Sequence, residues 1–307
     1  MKQRKRILAT ISAEQNKLPF AIYDENMSYD SGQGGLAIYL PTEKGYVNYN
    51  FVHTINVDRN ADMWRLTVVN LHNNKGEFVK QITKDGAEWE MAVRILNRTD
   101  FIGGYAHGDE IYSSLELYID GTLTDITSIN QYKKFDEMKI VMDSIGYDPA
   151  DGTTKALEHH KEYSITKDGI TIDQTVTWCN NFTLCNRLGS FLAMMPPLKY
   201  SLTDSTDIIT DSYYTDLNTT PINLPNNKLD NTLEDVLSVC VFGEESGIYF
   251  TMSKSNVVPI LNAGNLMSLT DNSGLNYNKM YFRFAYDCPV ETGDVWNATT
   301  TYNIEWK

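Results

Sequence analysis

Short segments of alternating apolar and polar residues recur along the whole chain, and each ends at a turn signal of Gly, Asp or Asn. Such segments at near-regular spacing are typical of a β-sandwich or barrel. The pattern therefore predicts an all-β fold, a large antiparallel β-sandwich or jelly-roll-like domain. The predicted strands cover residues 35–40, 45–52, 63–69, 88–96, 115–119, 236–242, 247–253, 279–286 and 300–306.

Three other stretches complete the expected organisation. Residues 163–178 read as a β-hairpin that turns at Asp168 and Gly169. Residues 131–143 fit a strand at least as well as a helix, because their apolar residues alternate. Residues 203–231 are polar and contain two prolines, which predicts a long surface loop of the kind that is often functional.

Length and composition agree with this reading. The 19 tyrosines favour the half-buried pleated surface of a sheet. A chain of 307 residues is long for one domain, but large β-sandwiches reach this size. We therefore expect one domain over residues 1–307, with a split near residues 145–155 as the alternative.

The charge balance limits the partners. With a net charge of −14 and a pI of about 4.8, the chain lacks the Lys and Arg excess that neutralises nucleic-acid phosphates. We therefore expect no nucleic-acid partner, and the same charge disfavours a strongly anionic polymer. No apolar run is long enough to cross a membrane, so no membrane insertion is expected.

The cysteines and the start of the chain bear on its compartment. The four cysteines form no CxxC pair and lack zinc-ligand spacing, so we expect reduced, partly buried thiols. The apolar run at residues 7–11 is too short for a signal peptide. These features lead us to expect a cytoplasmic or virion-associated protein.

The most unusual segment is 100–110, which combines glycines with a histidine and carboxylates. In an extended strand, Tyr105, His107 and Asp109 would share one face, and small residues opposite would let another backbone approach. Such a histidine is a usable acid/base group. The alternative is a glycine-rich turn whose polar side chains satisfy backbone groups. Asp109 and Glu110 would face opposite ways, so they are not expected to pair as in a glycosidase.

Two further segments are candidates for a site. In residues 158–163, His159, Lys161 and Tyr163 would share one strand face, without the histidine spacing of a metal site. The alternative for this segment is a solvated start of a strand. Arg187 lies in an otherwise apolar stretch shortly before Lys199, and it would need a carboxylate partner or a ligand anion.

A cofactor is not expected, because no P-loop or dinucleotide-binding motif is present. Calcium is the one ion with a candidate site, since a group of aspartates in the polar stretch offers oxygen ligands. Their spacing matches no EF-hand loop. These aspartates are Asp204, Asp207, Asp211 and Asp216.

Three strings carry a family resemblance: GAEWEMA (86–92), DFIGGYAHGDE (100–110) and LYIDG (117–121). They resemble tail-fibre and receptor-binding proteins of bacteriophages, and more loosely the β-sandwich polysaccharide lyases. The lyase resemblance implies β-elimination beside a uronate carboxylate. In that reading His107 is the base or neutraliser, Tyr105 or Tyr163 the proton donor, and Arg187 the partner of the carboxylate.

The leading hypothesis is therefore an enzyme of phage or bacterial origin that degrades a poly- or oligosaccharide by elimination. Tyrosine offers sugars both an aromatic face and a polar edge, which supports a carbohydrate partner. The first alternative is a non-catalytic receptor-binding or tail protein, expected as a homotrimer; the second is a glycosidase with carboxylates among Glu88, Glu90, Asp109, Glu110 and Glu116. The predicted substrate-binding residues are Asp109, Glu110, His159, Lys199 and Trp89.

Overall fold

The computed structural model describes residues 18–83, 91–185, 190–194, 198–199, 212–223, 230–258, 267–272, 277–285 and 287–307. These residues are mostly β-strand, which confirms the all-β fold class. The first strands are β1 (Phe20–Asp30), β2 (Gly32–Pro41), β3 (Gly45–Asn56), β4 (Ala61–Asn73), β5 (Phe78–Gln81), β6 (Glu110–Ile119), β7 (Thr122–Leu123), β8 (Lys133–Lys134), β9 (Met138–Tyr147), β10 (Lys155–Thr166), β11 (Gly169–Trp178) and β12 (Phe182–Thr183).

The second half of the chain continues in strands. They are β13 (Ser190–Met194), β14 (Leu198–Lys199), β15 (Ser212–Thr215), β16 (Asn218–Asn223), β17 (Asp230–Leu233), β18 (Ser238–Gly243), β19 (Ile248–Val258), β20 (Met267–Asn272), β21 (Tyr277–Ala285), β22 (Pro289–Val290) and β23 (Val295–Trp306). The helical elements of the described chain are the single turn α1 (Gly104–His107) and two 3-10 turns at Val57–Arg59 and Ile126–Ser128.

One large sheet holds 16 of these strands, in the order β16-β15-β18-β19-β23-β11-β10-β9-β6-β4-β3-β2-β1-β8, with β5 and β7 attached to β4 and β6. Its pairings are antiparallel except for short parallel contacts of β1 with β3 and of β4 with β6. Smaller sheets are formed by β13, β14, β17, β20 and β21, and by β12 with β22.

The large sheet curves so that one of its faces packs against itself. A single apolar cluster joins Tyr49 and Phe51 of β3 with Phe250 of β19 and Tyr302 of β23. These strands lie far apart in the strand order, so the cluster requires the sheet to close over its own core. We call this buried side the inner face and the opposite side of β6, β9, β10, β11 and β23 the outer face.

A second apolar cluster lies beside the first on the inner face of β10, β11 and β23. Its largest members are Trp178 and Trp296, whose rings meet edge to face with centroids 5.2 Å apart. Burial of such large side chains is a main contribution to stability. The two clusters fix the curvature of β9, β10 and β11, and thereby the shape of their outer face.

Several local predictions are confirmed. β10 and β11 pair from Leu157↔Trp178 to Thr166↔Gly169, as the predicted hairpin requires. Residues 131–143 contain strands and no helix, and the alternating apolar residues of β9 point to the core. All four cysteines are free, and they are buried or half-buried.

Two predicted elements differ from the structure. The stretch 203–231 is not a loop throughout, because β15 and β16 form a hairpin within it and β15 pairs with β18. Tyr213 explains this pairing, since its ring enters the main core cluster. Pro221 is tolerated because β16 is the edge strand of the sheet, where a missing N–H costs no ladder bond. The described part of the predicted strand 88–96 forms isolated bridges at Val93 and Ile95.

No helix in the described part of the chain is long and apolar enough to cross a membrane. The division of the chain into domains stays a prediction. The pairing of β9 with β10 does extend from Lys155↔Tyr147 to Ile165↔Met138, directly across the turn at which the alternative split was placed.

Candidate functional site

The glycine-rich segment 100–110 is a turn and not an extended strand. Residues Gly104–His107 form α1, and backbone φ is positive at Gly103, Gly104, Gly108 and Asp109. The expected common face of Tyr105, His107 and Asp109 is therefore wrong, because a helical turn rotates successive residues by about 100° instead of alternating them.

Close backbone approach, which small residues in this segment predicted, does occur at two glycines. A Cβ on Gly103 would lie 2.1 Å from the carbonyl oxygen of Met91, and one on Gly108 would lie 2.0 Å from that of Arg59. Both positions also have positive φ, so any other residue would be strained there. The glycines thus serve the packing of this turn against its neighbours.

His107 and Asp109 have separate surroundings. His107 is about 25% exposed, with Nδ1 3.6 Å from an oxygen of Asp100 and its ring 4.7 Å from that of Phe101. Asp109 accepts a hydrogen bond of 3.1 Å from Nδ2 of Asn60. Burial raises the pKa of Asp109, although the hydrogen bond from Asn60 opposes this shift.

Strand β10 divides the residues 158–163 between two faces, as its alternation predicted. His159, Lys161 and Tyr163 lie on the inner face, and His160 and Glu162 lie on the outer face. Tyr163 belongs to the apolar core and meets the Phe51 ring edge to face at 5.5 Å. A group in that position cannot reach a polymer at the protein surface.

Glu110 and His159, both predicted substrate-binding residues, meet on the inner face. One carboxylate oxygen of Glu110 accepts hydrogen bonds from Ser144 Oγ at 2.6 Å, Lys161 Nζ at 2.9 Å and His159 Nδ1 at 3.2 Å. The other oxygen accepts the backbone N–H of Gly104 at 2.8 Å. Glu110 therefore holds the glycine-rich turn against the sheet.

The charges of this inner cluster are compensated. Burial raises the pKa of Glu110, but Lys161, His159 and Ser144 outweigh it, so this pKa lies well below its usual range. Burial and the Lys161 ammonium lower the pKa of His159, although its hydrogen bond to the Glu110 carboxylate opposes this shift. On its other side, Nε2 of His159 lies 3.1 Å from the amide oxygen Oε1 of Gln174, which accepts a hydrogen bond from the ring.

The inner cluster is closed to solvent. The side chains of Glu110 and His159 have no exposed surface, and that of Lys161 is 4% exposed. A fully hydrogen-bonded and buried ion pair of this kind fixes the local arrangement of strands. We assign it a structural role, because a ligand has no access to it.

The remaining predicted residues are only partly described. Arg187 and Trp89 lie outside the described residues. Tyr105 lies in α1 and Lys199 in β14, and the side chains of both are outside the described part of the structure. Of the aspartates proposed for calcium, Asp216 accepts backbone hydrogen bonds from Leu237 and Ser238, and the other three lie outside that part.

The outer face carries an open polar cleft of about 340 Å³ that spans β6, β9, β10 and β11. At its centre His160 Nδ1 lies 2.7 Å from an oxygen of Asp143, and Ser114 Oγ donates to the second oxygen at 2.8 Å. The side chains of His160 and Asp143 are about half exposed, 46% and 50%. The lining residues are Ser113, Asp143, Ser144, Ile145, Glu158, His159, His160, Thr175 and Thr177.

This arrangement prepares His160 as a base or hydrogen-bond acceptor. Burial raises the pKa of Asp143, but hydrogen bonds from His160 and Ser114 outweigh it and the pKa is lowered, so Asp143 is a carboxylate at neutral pH. A carboxylate only accepts, so Nδ1 carries the proton and Nε2 of a neutral ring presents its lone pair. Within the described chain, Nε2 makes no hydrogen bond and is available to a ligand.

A second cleft, of about 410 Å³, continues along the same face. Lys139 and Glu162 form an ion pair of 2.5 Å across it, and Tyr118 donates a hydrogen bond of 2.6 Å to Glu116. His160 and Glu162 are two residues apart on β10, so the clefts follow each other at about 7 Å along the strand. Tyr118 gives this second cleft an aromatic side chain.

Two carboxylates line each cleft. Asp143 and Glu158 face the first cleft and Glu137 and Glu162 the second, and the exposed basic side chains among the described lining residues are those of Lys139 and His160. Among the described residues, no group of three or more His, Cys, Asp or Glu side chains is placed to hold a metal ion. The side chains of the outer face offer a ligand hydrogen-bonding and ionisable groups.

Sequence reasoning named His159 as a substrate-binding residue and did not name His160, Asp143 or Ser114. Alternation did separate His159 from His160, but it could not say which face was open to solvent. The pairing of His160 with Asp143 depends on the register of β9 against β10, and that of Ser114 on a bulge after Tyr112 in β6. Neither is visible in one sequence.

Comparison with known proteins leaves the family open. No protein-family model and no curated protein matches the chain. Among solved structures, the galactosidase domain of an α-galactosidase–sucrose kinase is 10% identical with a TM-score of 0.41, over 88% of this chain and 40% of that one. A proposed aldose 1-epimerase from Escherichia coli K12 is 10% identical with a TM-score of 0.41, over 88% and 99%.

A protein from Synechocystis sp. PCC 6803 is likewise 10% identical, with a TM-score of 0.39, over 92% of this chain and 99% of that one. This chain thus spans about two fifths of the galactosidase protein and nearly the whole of the other two. At these identities and TM-scores the likenesses assign no function. Fold and site define an all-β protein with a closed inner face and a polar, open outer face.

Proposed function

We propose that this protein binds a neutral or amino-bearing oligosaccharide along its outer face. The observation that carries the proposal is the cleft around His160 and Asp143, continued by the cleft at Tyr118. Sugars are recognised by convergent hydrogen-bonding groups beside an aromatic side chain, and these clefts supply carboxylate, hydroxyl, imidazole and phenol groups.

The charged residues that line the two clefts favour some classes of glycan over others. The two clefts are lined by four carboxylates, Asp143, Glu158, Glu137 and Glu162, and the exposed basic side chains among the described lining residues are Lys139 and His160. A uronate carboxylate placed there would be repelled, whereas sugar hydroxyls or an ammonium group would be hydrogen-bonded. A neutral or amino glycan is therefore the substrate class.

The finer functions inferred from the sequence resemblance are a polysaccharide lyase and a non-catalytic phage receptor-binding protein. Elimination needs a group that neutralises the uronate carboxylate, and among the described residues that line the cleft around His160 no Lys or Arg is present, so a histidine would have to take that role. The binding protein needs no such group. Turnover is nevertheless a second candidate function, because His160 presents Nε2 to the cleft and is oriented by Asp143 in the manner of a general base.

A polysaccharide panel tests both candidates in one experiment. We expect the protein to be retarded in native gels that contain neutral glucans, galactans, mannans or chitosan, and to migrate freely with alginate or polygalacturonate. Ultraviolet absorbance and reducing ends, measured on the same mixtures, report elimination and hydrolysis. Retardation by uronates alone, together with a rise in absorbance, would replace the proposal with a lyase. Free migration with every polysaccharide would reject it.

A further inference from the structure

The first cleft, around His160 and Asp143, presents hydrogen-bond acceptors and few donors. The hydroxyl of Ser113 donates to the backbone carbonyl of Asp143 at 3.3 Å. That of Thr175 donates to Oδ1 of Asn297 at 2.8 Å. A hydroxyl has a single proton, so each of these two oxygens turns only lone pairs to the cleft. The Nδ1 proton of His160 is likewise held by the Asp143 carboxylate, which leaves Nε2 of the neutral ring as an acceptor.

Carboxylates add to this surplus of acceptors. Asp143 and Glu158 line the cleft, and the two oxygens of a carboxylate together accept about four hydrogen bonds. Asp143 receives two protons within the chain, from His160 and Ser114, so part of its capacity is left for a ligand. Among the described side chains that face the cleft, the hydroxyl of Thr177 is the remaining donor. A ligand group that only accepts, such as a carboxylate, therefore finds almost no partner here.

An ammonium group of the chain itself occupies the second carboxylate. Nζ of Lys155 pairs with Oε1 of Glu158, and the two side chains are 41% and 57% exposed. An exposed pair of this kind contributes little to stability, so the ammonium of a ligand can replace Lys155. Glu158 and His160 are two residues apart on the outer face of β10, about 7 Å along the strand, so both offer acceptors to the same cleft.

We propose that the ligand of the first cleft is an amino sugar with a free amine, whose ammonium binds at Asp143, Glu158 and Nε2 of His160. The assignment rests on the proposed glycan binding and narrows it from neutral or amino-bearing glycans to the amino-bearing class. An ammonium has three donors and no acceptor, and it is therefore the complement of this surface. N-acetylation removes the charge, leaves one donor and adds a carbonyl acceptor, so an acetylated sugar should bind weakly.

Three β-linked tetrasaccharides that differ only at carbon 2 of each sugar test this assignment. Cellotetraose carries a hydroxyl there, the glucosamine tetramer an amine, and the N-acetylglucosamine tetramer an acetamide. Isothermal titration calorimetry of the full-length protein at neutral pH measures the three affinities. The amine should bind about tenfold more tightly than the hydroxyl, because hydrogen bonds to charged groups are the stronger kind, and the acetamide should bind least.

The outcomes separate this assignment from the proposed function. Equal affinities for the amine and the hydroxyl, or tightest binding of the acetamide, would overturn the amino-sugar assignment and leave glycan binding in place. So would a failure of all three to bind in a protein that retains another neutral polysaccharide. Absence of binding to these three and to every polysaccharide of the panel would reject both.

Variants at exposed side chains test the ammonium site directly. Glu158→Gln keeps the size of the side chain and removes its charge, and it should reduce the preference for the amine over the hydroxyl several-fold. Lys155→Gln removes the competing ammonium and should tighten binding of the amine. Asp168→Asn, at the turn of the same hairpin where the side chain is 74% exposed, is the control for net charge and should keep the wild-type preference. An unchanged preference in Glu158→Gln, or weaker amine binding in Lys155→Gln, would contradict the assignment.

Discussion

Replacement of Glu110 by alanine is expected to lower the free energy of unfolding by about 3–5 kcal/mol, because it leaves the buried ammonium of Lys161 without its partner. It also removes the acceptor of Ser144 and of the Gly104 N–H. Urea unfolding followed by tryptophan fluorescence measures the change. Glu116→Ala, an exposed site on the same strand, is the matched control and should stay within about 0.5 kcal/mol.

A double variant distinguishes loss of the ion pair from general damage. Glu110→Gln with Lys161→Met removes both charges, and we expect it to recover a large part of the stability that Glu110→Gln alone loses. A Glu110→Ala variant within about 1 kcal/mol of wild type would contradict the compensated cluster, since deletion of one partner of a buried pair is strongly destabilising.

The buried cluster around Glu110 also makes the free energy of unfolding depend on pH, in a direction that follows from the pKa shift of Glu110. The pKa of Glu110 is lowered in the folded protein, so its contribution is complete above the unfolded-state value of about 4.3. It is lost progressively as the pH falls below that value towards the folded pKa. The stability difference between wild type and Glu110→Ala should therefore be largest near neutral pH and should narrow in acid.

The second prediction concerns the affinity of the cleft around His160 and Asp143 for the glycan. We expect His160→Ala and Asp143→Asn to weaken retention of the bound glycan by about 10- to 100-fold, because a hydrogen bond to a charged group contributes about 1.5–3 kcal/mol. Affinity gel electrophoresis over a range of glycan concentrations measures the change. Stability should be nearly unchanged, since both side chains are half exposed.

Thr301→Ala serves as the control for this second prediction. Thr301 lies on the same sheet, where its hydroxyl pairs with that of Thr171, and it does not line either cleft. Equal weakening by Thr301→Ala and His160→Ala would mean that the substitutions act through the sheet as a whole. Unchanged retention in His160→Ala would remove the cleft from the proposed function.

The strands could be predicted from the sequence because short-range patterns specify them. Alternation in β9 and β10 and the turn at Asp168 and Gly169 depend on residues close in sequence, and the structure reproduces them. For residues 100–110 the sequence left an extended strand and a glycine-rich turn both open, because the shape of α1 is set by approach to the distant backbones at Met91 and Arg59. Periodicity carries no information about such contacts.

The candidate site depends even more than the glycine-rich turn on contacts between residues that are distant in the sequence. His159 and His160 are chemically identical neighbours, and their roles diverge because β9 and β11 flank β10 and the sheet closes over one face. His159 enters a buried ion cluster with Glu110, and His160 meets Asp143 in the open. The order of the strands and the curvature of the sheet determine which of the two histidines is buried. This order and this curvature depend on contacts between residues that are far apart in the sequence.

The most direct test of the outer-face account is a map of amide chemical-shift changes in isotope-labelled protein titrated with the best-retained oligosaccharide. The account predicts saturable changes along the first cleft, at Ser113, Asp143, Ile145, His160 and Thr175. Saturable changes confined to the inner face, or to residues outside both clefts, would contradict it.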